Sequence, residues 1–120
     1  MYRVVIADDE VQYRGWLSTL FARHEEFQVV GEASSGAEAL QLIETLQPDL
    51  VIADLFMPDP DGLEIIRNTK QNYSNIKTIL ISAHDERIYE ELAIEEGALA
   101  FIPKVKLSLK TLLQTLQEEK

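Results

Sequence analysis

The 120-residue chain is 46% hydrophobic and contains no cysteine, which predicts one domain over residues 1–120 and excludes disulfides and thiolate chemistry. Its 21 acidic and 11 basic residues leave a formal net charge of -10, which argues against direct nucleic-acid binding but suits divalent cations. Since no apolar run approaches the roughly 18–20 residues of a membrane span, and a strand pattern begins at once without a signal peptide, we expect a cytoplasmic protein with no membrane segment.

Short apolar runs alternate with amphipathic stretches along the whole chain. The apolar runs cover residues 3–7, 27–31, 50–53, 77–81 and 98–102. Several are rich in Val and Ile and are continuous rather than alternating, a pattern typical of strands that are covered on both faces of a parallel sheet. We therefore predict five parallel strands.

Helical patterns with recognisable starts follow these runs. Ser35 and Glu38 have the spacing of a capping box, and Asp61 and Glu64 repeat that spacing. Ser108 can cap the last helix. The order βαβαβαβαβα, joined by right-handed crossovers, predicts an α/β fold with a doubly wound five-stranded parallel sheet and five helices.

Polar side chains follow four of the predicted strands. Asp8 and Asp9 come after the first strand, Asp54 ends the third, Ser82 ends the fourth and Lys104 follows the fifth. In doubly wound sheets, ligands bind beyond the carboxyl ends of the strands, where the strand order reverses. We therefore expect these five side chains to converge at one edge of the sheet.

The charges of these residues indicate their chemistry. Closely spaced carboxylates repel one another unless a cation lies among them, and oxygen ligands that leave room for phosphate oxygens suit Mg²⁺. A carboxylate can attack phosphorus to form an aspartyl phosphate, while the metal and Lys104 neutralise the phosphoryl group. Asp54 is the better nucleophile because it stands alone on a central strand, whereas Asp8 and Asp9 are paired like metal ligands.

Three of these residues also have a purely structural interpretation. Asp9 can serve only as a helix cap and Asp54 only as the end of a strand. Lys104 can be an ordinary solvated lysine. Convergence of all five positions at the ends of four strands favours a functional site over these alternatives.

The same residues resemble the receiver domains of bacterial two-component response regulators. The resemblance covers essentially the whole chain and implies a flavodoxin-like sheet with the strand order 2-1-3-4-5. The motifs that carry it are Ile6-Ala7-Asp8-Asp9-Glu10, Asp49-Leu50-Val51-Ile52-Ala53-Asp54-Leu55, Met57-Pro58 with Asp61-Gly62, Ile81-Ser82-Ala83, and Gly97-Ala98 leading to Phe101 and Lys104.

The resemblance implies a role for each matching position. Asp54 corresponds to the phosphoacceptor and Lys104 to the residue that clamps the phosphoryl group. Asp9 corresponds to a direct Mg²⁺ ligand, Asp8 to a ligand that acts partly through water, and the main-chain carbonyl of Phe56 completes the protein ligands.

Two further positions correspond to the switch of the family. Ser82 matches the hydroxyl that moves toward the phosphate, and Phe101 matches the aromatic residue that turns inward behind it. An aromatic residue in a strand is also commonly plain core. His84 lies two residues past Ser82, where it either influences hydrolysis of the aspartyl phosphate or is a solvated loop residue.

The function implied is a phosphorylation-activated signalling switch rather than an enzyme. The expected phosphoryl donor is a sensor histidine kinase or a histidine phosphotransferase, and the expected partner for output is a downstream effector or a fused output domain. A homodimer that forms on phosphorylation is a further expected partner arrangement that the sequence leaves open.

Two other functions are disfavoured by the sequence. A phosphatase of the haloacid-dehalogenase type is disfavoured because Phe56 stands where its second Asp would be. A flavin or nucleotide binder is disfavoured because Gly-rich phosphate loops are absent. The intact acidic set argues against a degenerate receiver.

The first helix and the segment after Lys104 carry two more predictions. Helical spacing buries Leu17, Leu20, Phe21 and in part Tyr13, and leaves Trp16 at the edge of the buried stripe. Tyr13 and Trp16 are neighbours on the helix near Asp9, and the resemblance makes them candidates for kinase docking, with simple packing as the alternative. Because Val follows Lys104, we expect the Lys104–Val105 peptide to be trans.

Overall fold

Five strands alternate with five α-helices, as the apolar runs and capping patterns predict. The computed structural model describes residues 1–118, so residues 119 and 120 of the predicted domain lie outside the described part. The elements are β1 (Tyr2–Ala7), α1 (Val11–Ala22), β2 (Phe27–Ala33), α2 (Gly36–Leu46), β3 (Leu50–Asp54), α3 (Gly62–Asn72), β4 (Lys77–Ser82), α4 (Arg87–Glu95), β5 (Ala100–Pro103), a short 3-10 helix (Lys104–Lys106) and α5 (Leu109–Glu118).

The strands form one parallel sheet in the order β2-β1-β3-β4-β5. This confirms the predicted fold class and strand order. The order reverses beside β1, so the chain winds outward from the centre in both directions. All five residues of β3 are buried because this strand is central and covered on both faces.

The core lies in layers on both faces of the sheet. On one face, Val4 and Ile6 pack with Leu17 of α1 and Leu112 of α5. On the other face, alternate residues of the same strands, including Val5, pack with α2 and α3. A third cluster joins α3, α4 and β5. These layers hold the sheet rigidly, which fixes the positions of side chains at its carboxyl edge.

Helix α1 buries the stripe that its sequence predicts. Leu17 and Phe21 are fully buried, and Leu20 and Tyr13 pack against the same cluster while partly exposed. Trp16 is 45% exposed, as expected at the edge of that stripe.

Two strand ends differ from the prediction by two residues, the end of β2 and the start of β5. Strand β2 continues to Ala33 rather than residue 31, because Val4 pairs with Val29 but Val5 pairs with Gly31, an irregularity that realigns the strand with β1. Strand β5 starts at Ala100 rather than residue 98. The left-handed φ of +107° at Gly97 ends α4, and the Ala98 N–H then bonds back into α4 at 2.9 Å.

The predicted helix caps form, with one change of partner. The Ser35 hydroxyl accepts from the Glu38 N–H at 3.2 Å, and the Asp61 carboxylate accepts from the Glu64 N–H at 3.0 Å. The Glu38 carboxylate, however, accepts from the N–H of Ser34 at 2.7 Å, one residue before the expected donor. Both helices therefore begin where the sequence predicts.

Candidate functional site

The loop after β1 holds Asp8 in a fixed orientation. Its N–H donates to the carbonyl of Ala33 at 3.0 Å, and its carbonyl accepts from Arg14 Nη1 at 2.7 Å. Its Oδ1 accepts from the N–H of Glu10 at 2.9 Å. The carboxylate is fully buried, and rotation of the side chain into solvent would break its hydrogen bond with the Glu10 N–H.

Three aspartates converge at the carboxyl edge of the sheet. Asp8, Asp9 and Asp54 each present a carboxylate oxygen, and these oxygens lie within 4.8 Å of one another. Asp54 is 6% exposed at the end of the central strand, whereas Asp9 faces solvent. The edge position follows from parallel strands that end together, as the sequence predicts.

Lys104 reaches into this cluster from the segment after β5. Its Nζ lies 2.8 Å from Asp8 Oδ2, 3.3 Å from Asp54 Oδ2 and 3.1 Å from Glu10 Oε1. Burial alone would lower the pKa of this ammonium, but the contact with Asp8 and the charge of Asp54 outweigh burial and raise the pKa above its ordinary value. Lys104 therefore stays charged at any physiological pH.

The carboxyl of Asp54 is harder to ionise than an ordinary aspartate. Burial, followed by the charge of Asp8, raises the pKa of Asp54 to about 6. Lys104 and the N–H of Phe56, which donates to Asp54 Oδ1 at 3.4 Å, oppose the shift without cancelling it. The site thus holds more negative charge than its lysine can compensate.

The donor set fits a hard divalent cation. Asp8 Oδ2 is buried, and its partner is the Lys104 ammonium, which lies 2.8 Å away as an ion pair. One ammonium cannot neutralise three carboxylates, and a divalent cation among their oxygens would relieve the repulsion between Asp8, Asp9 and Asp54. The main chain of Phe56 lies beside the same carboxylate cluster.

An open cleft of about 360 Å³ leads to these charged groups. Its walls are formed by Asp9, Glu10, Asp54, Phe56, Ala83, His84 and Lys104. Ser82 is fully buried, and its hydroxyl accepts from the N–H of His84 at 3.0 Å. Phe101 is 8% exposed and packs inward against the cluster that contains Leu55 and Leu80.

The peptide bond between Lys104 and Val105 has the conformation that the sequence predicts. Among the described residues, the cis peptide bond is Asp59–Pro60, so Lys104–Val105 is trans. This prediction is confirmed.

Several contacts at the site were not predicted from sequence. Glu10 and Tyr13 both touch Lys104, although the sequence indicates Tyr13 only as a packing or docking residue. The rings of Phe56, His84 and Tyr89 form a group at the mouth of the cleft, with centroids 5.0 to 6.3 Å apart. Glu10 could have been suspected from its place beside Asp9, but the other two contacts have no signal in the sequence.

The candidate docking residues lie on one exposed flank of α1. The rings of Tyr13 and Trp16 are 5.3 Å apart. Tyr13 is half-buried against the segment that starts at Lys104, while Trp16 is exposed. Docking through either residue stays a prediction.

In the part of the chain that the structure describes, every helix is too short or too polar to cross a membrane.

Known proteins are similar to this chain in both sequence and fold. The transcriptional regulatory protein YhcZ of Bacillus subtilis (strain 168) is 37% identical over 99 residues, covering 82% of this chain and 46% of that protein. The signal receiver domain of the response regulator NarL from Mycobacterium tuberculosis superposes with a TM-score of 0.86 at 31% identity, covering 96% of both chains. This chain spans about half the length of the transcriptional regulators it matches.

One relative carries a named enzymatic activity. The protein-glutamate methylesterase/protein-glutamine glutaminase of Pyrococcus abyssi (strain GE5 / Orsay) is 34% identical over 119 residues, covering 98% of this chain but only 32% of that protein. The shared part is therefore a minority of the enzyme, and receiver domains generally act as signalling domains.

A sequence model of one protein family also matches this chain. The model is described as the response regulator receiver domain and matches residues 4–117. That span contains the three aspartates, Lys104 and every strand-end motif described above. The chain belongs to the response regulator receiver domain family of two-component systems.

Proposed function

We propose that Asp54 accepts a phosphoryl group and that the chain acts as a switch controlled by this modification. The observation that carries the proposal is the place of Asp54, which faces Lys104 at 3.3 Å and shares a carboxylate cluster with Asp8 and Asp9. A nucleophile, a fixed cation and metal-ligating acids are the groups that phosphoryl transfer to a carboxylate requires.

The transfer needs little from the protein beyond positioning and charge. An Asp54 carboxylate oxygen attacks the phosphorus of a phosphohistidine, and the phosphorus–nitrogen bond breaks. The imidazole leaves with the electron pair of that bond and takes up a proton. Lys104 remains an ammonium because its pKa is raised, so its charge is available to the phosphoryl oxygens throughout.

The residues that would hold Mg²⁺ are Asp8, Asp9, Asp54 and the main-chain carbonyl of Phe56. Bound there, Mg²⁺ supplies charge neutralisation for the transferring phosphoryl group. The three carboxylate oxygens within 4.8 Å of one another support this assignment.

Ser82 and Phe101 are the proposed relay. The Ser82 hydroxyl bonds to the His84 N–H, so a turn of Ser82 toward the phosphoryl group would break that bond and free the loop after β4. Phe101 already packs inward, and its cluster includes residues of α3 and α4. A shift of this loop would therefore change the surface that α4 presents.

We propose a sensor histidine kinase or histidine phosphotransferase as donor, in the cytoplasm, and an effector or output domain as the recipient of the signal. The chain itself is a phosphoacceptor rather than an enzyme with a released product. Its net charge of -10 argues against direct DNA contact by this chain. A phosphorylation-linked homodimer fits the same scheme.

The test uses a small phosphodonor so that no partner protein is needed. Wild type and Asp54→Ala are incubated with acetyl phosphate, with either Mg²⁺ or a chelator, and intact mass is measured. A single phosphoryl adduct should form in wild type with Mg²⁺ only and should be absent in Asp54→Ala. An adduct that forms equally in the chelator would refute the metal requirement, and no adduct in wild type would refute the function.

A further inference from the structure

Lys104 has a fourth neighbour besides its three carboxylate partners. Its Nζ lies 4.4 Å from the centre of the Tyr13 ring. The Tyr13 hydroxyl donates a hydrogen bond of 3.3 Å to the main-chain carbonyl of Lys104. One side chain of α1 therefore contacts both the ammonium and the backbone of the same lysine.

Tyr13 is itself held in place. Its ring is half-buried, packs against the core cluster that contains Leu17 and leans on Trp16, with centroids 5.3 Å apart. Burial raises the pKa of its hydroxyl to about 12, against the opposing charge of Lys104. The hydroxyl thus stays protonated and remains a hydrogen-bond donor.

The ring differs in kind from the other partners of Lys104. Asp8, Glu10 and Asp54 are carboxylates, and the surroundings of Asp8 and Asp54 change when a cation binds or a phosphoryl group arrives. An aromatic face attracts an ammonium through its quadrupole and carries no charge that a cation or phosphoryl group could neutralise. A lysine stem is long and flexible, so a partner that is unaffected by the reaction keeps the ammonium in the cleft throughout.

From these contacts we infer that Tyr13 is a positioning residue, which holds the Lys104 ammonium beside Asp54 for phosphoryl transfer. The inference rests on the proposed function, since it assigns Tyr13 a part in the modification of Asp54. Tyr13 touches neither the phosphoryl group nor Asp54 in this role and acts only through Lys104.

The chain offers matched variants for a test. Tyr13→Leu removes the ring and the hydroxyl, and Tyr13→Phe removes only the hydroxyl. Tyr2→Leu is the control, because Tyr2 packs against the same core cluster but stacks on Phe27. Tyr13→Met replaces the leucine variant if circular dichroism shows that the latter is unfolded.

The rate of phosphorylation by acetyl phosphate with Mg²⁺ is the first readout. Tyr13→Leu should be about 3- to 30-fold slower than wild type, the range expected for loss of a cation–π contact. Tyr13→Phe should stay within about threefold, because its lost hydrogen bond is long. Tyr2→Leu should match wild type. An unchanged rate in Tyr13→Leu would overturn the inference.

Two further readouts separate positioning from general packing. In a Lys104→Ala background, Tyr13→Leu should cause no further slowing, and an equal slowing there would show that Tyr13 acts elsewhere. Nuclear magnetic resonance of the Lys104 ε-methylene should show upfield ring-current shifts in wild type and Tyr13→Phe that vanish in Tyr13→Leu. This arm needs no phosphoryl transfer, so a wild type that takes no phosphoryl group refutes the proposed function while the contact is still tested.

Discussion

Asp54 is buried beside the carboxylate of Asp8 and the ammonium of Lys104. These surroundings set both the reactivity of its carboxyl group and its effect on the free energy of unfolding. Folding raises the pKa of this carboxyl from 3.8 to about 6. The folded protein therefore binds a proton at Asp54 more tightly than the unfolded chain does. Above about pH 6 the ionised carboxylate lowers the free energy of unfolding, and below about pH 3.8 that penalty is gone.

A neutral residue at position 54 should therefore stabilise the metal-free protein. We expect Asp54→Asn to raise the free energy of unfolding at pH 7.5 by on the order of 1 kcal/mol, because Lys104 keeps Asp8 and Glu10 as partners. The gain should shrink as pH falls through 6 and vanish near pH 4, measured by urea denaturation with a chelator present.

The control for this measurement is Asp85→Asn, which removes the same charge. Asp85 pairs with Lys106 on the surface, where its side chain is 52% exposed, and we expect a change within about 0.5 kcal/mol. Lower stability of Asp54→Asn than wild type at pH 7.5, or a gain that does not depend on pH, would contradict the account.

Only some of the contacts among the site residues could be predicted from the sequence. Asp8, Asp9, Asp54 and Lys104 could be placed together because strand ends in a parallel sheet share an edge. The contact between Tyr13 and Lys104 could not, because it depends on the angle at which α1 packs and on side-chain rotamers. Those properties emerge from the packed core and leave no periodic pattern in the sequence.

At the scale of elements, the start of α3 fixes the carboxyl end of β3. The Gly62 N–H donates to the carbonyl of Leu55 at 3.0 Å. A Cβ at Gly62 would collide with the carbonyl oxygen of Asp54 and would lie 2.7 Å from Leu80 Cδ1 and 2.8 Å from Leu55 Cα. Two of these neighbours are backbone atoms of Asp54 and Leu55, so they cannot move cheaply.

Replacing Gly62 and Gly15 with alanine should therefore change the free energy of unfolding in opposite directions. We expect Gly62→Ala to lower the free energy of unfolding by about 1–3 kcal/mol through overpacking. Gly15 lies within α1, and a Cβ added there would meet no atom within 4 Å, so Gly15→Ala should raise it by about 0.5–1 kcal/mol. Chemical denaturation of both variants checks this, and a Gly62→Ala protein as stable as wild type would show that the contact is easily relieved.

The types of the elements were predictable from the sequence, but the end of β2 and the start of β5 were not. Continuous apolar runs identify buried strands, and the caps at Ser35 and Asp61 identify helix starts, because both depend on local sequence. The extension of β2 depends on how Val5 pairs with Gly31 across the sheet. The late start of β5 depends on the left-handed turn at Gly97, which hydrophobic periodicity does not encode.

At the scale of the whole molecule, Trp16 lies on the exposed flank of α1, whose start lies beside the carboxyl edge of the sheet. It is 45% exposed, and exposed aromatic residues are favoured anchors at interfaces. We expect Trp16→Ala to slow phosphotransfer from the cognate histidine kinase by about tenfold or more, and to slow phosphorylation by acetyl phosphate much less, because Trp16 reaches the site only through its contact with Tyr13. Both rates are followed by intact mass.

Ile88→Ala serves as the matched control for Trp16→Ala, because Ile88 is 51% exposed on α4. Its kinase-dependent rate should stay near that of wild type. If Trp16→Ala slows phosphorylation by both donors equally, or by neither, Trp16 is a packing residue and the docking prediction is wrong.

Among the 21 acidic residues, Asp54 should be the one that becomes phosphorylated. Borohydride reduces an acyl phosphate to an alcohol with release of phosphate, which converts a phosphorylated aspartate to homoserine. Protein treated with acetyl phosphate and Mg²⁺, then reduced, digested and sequenced by mass spectrometry, should contain homoserine at position 54 and nowhere else. Homoserine at another aspartate, with Asp54 unmodified, would contradict the account.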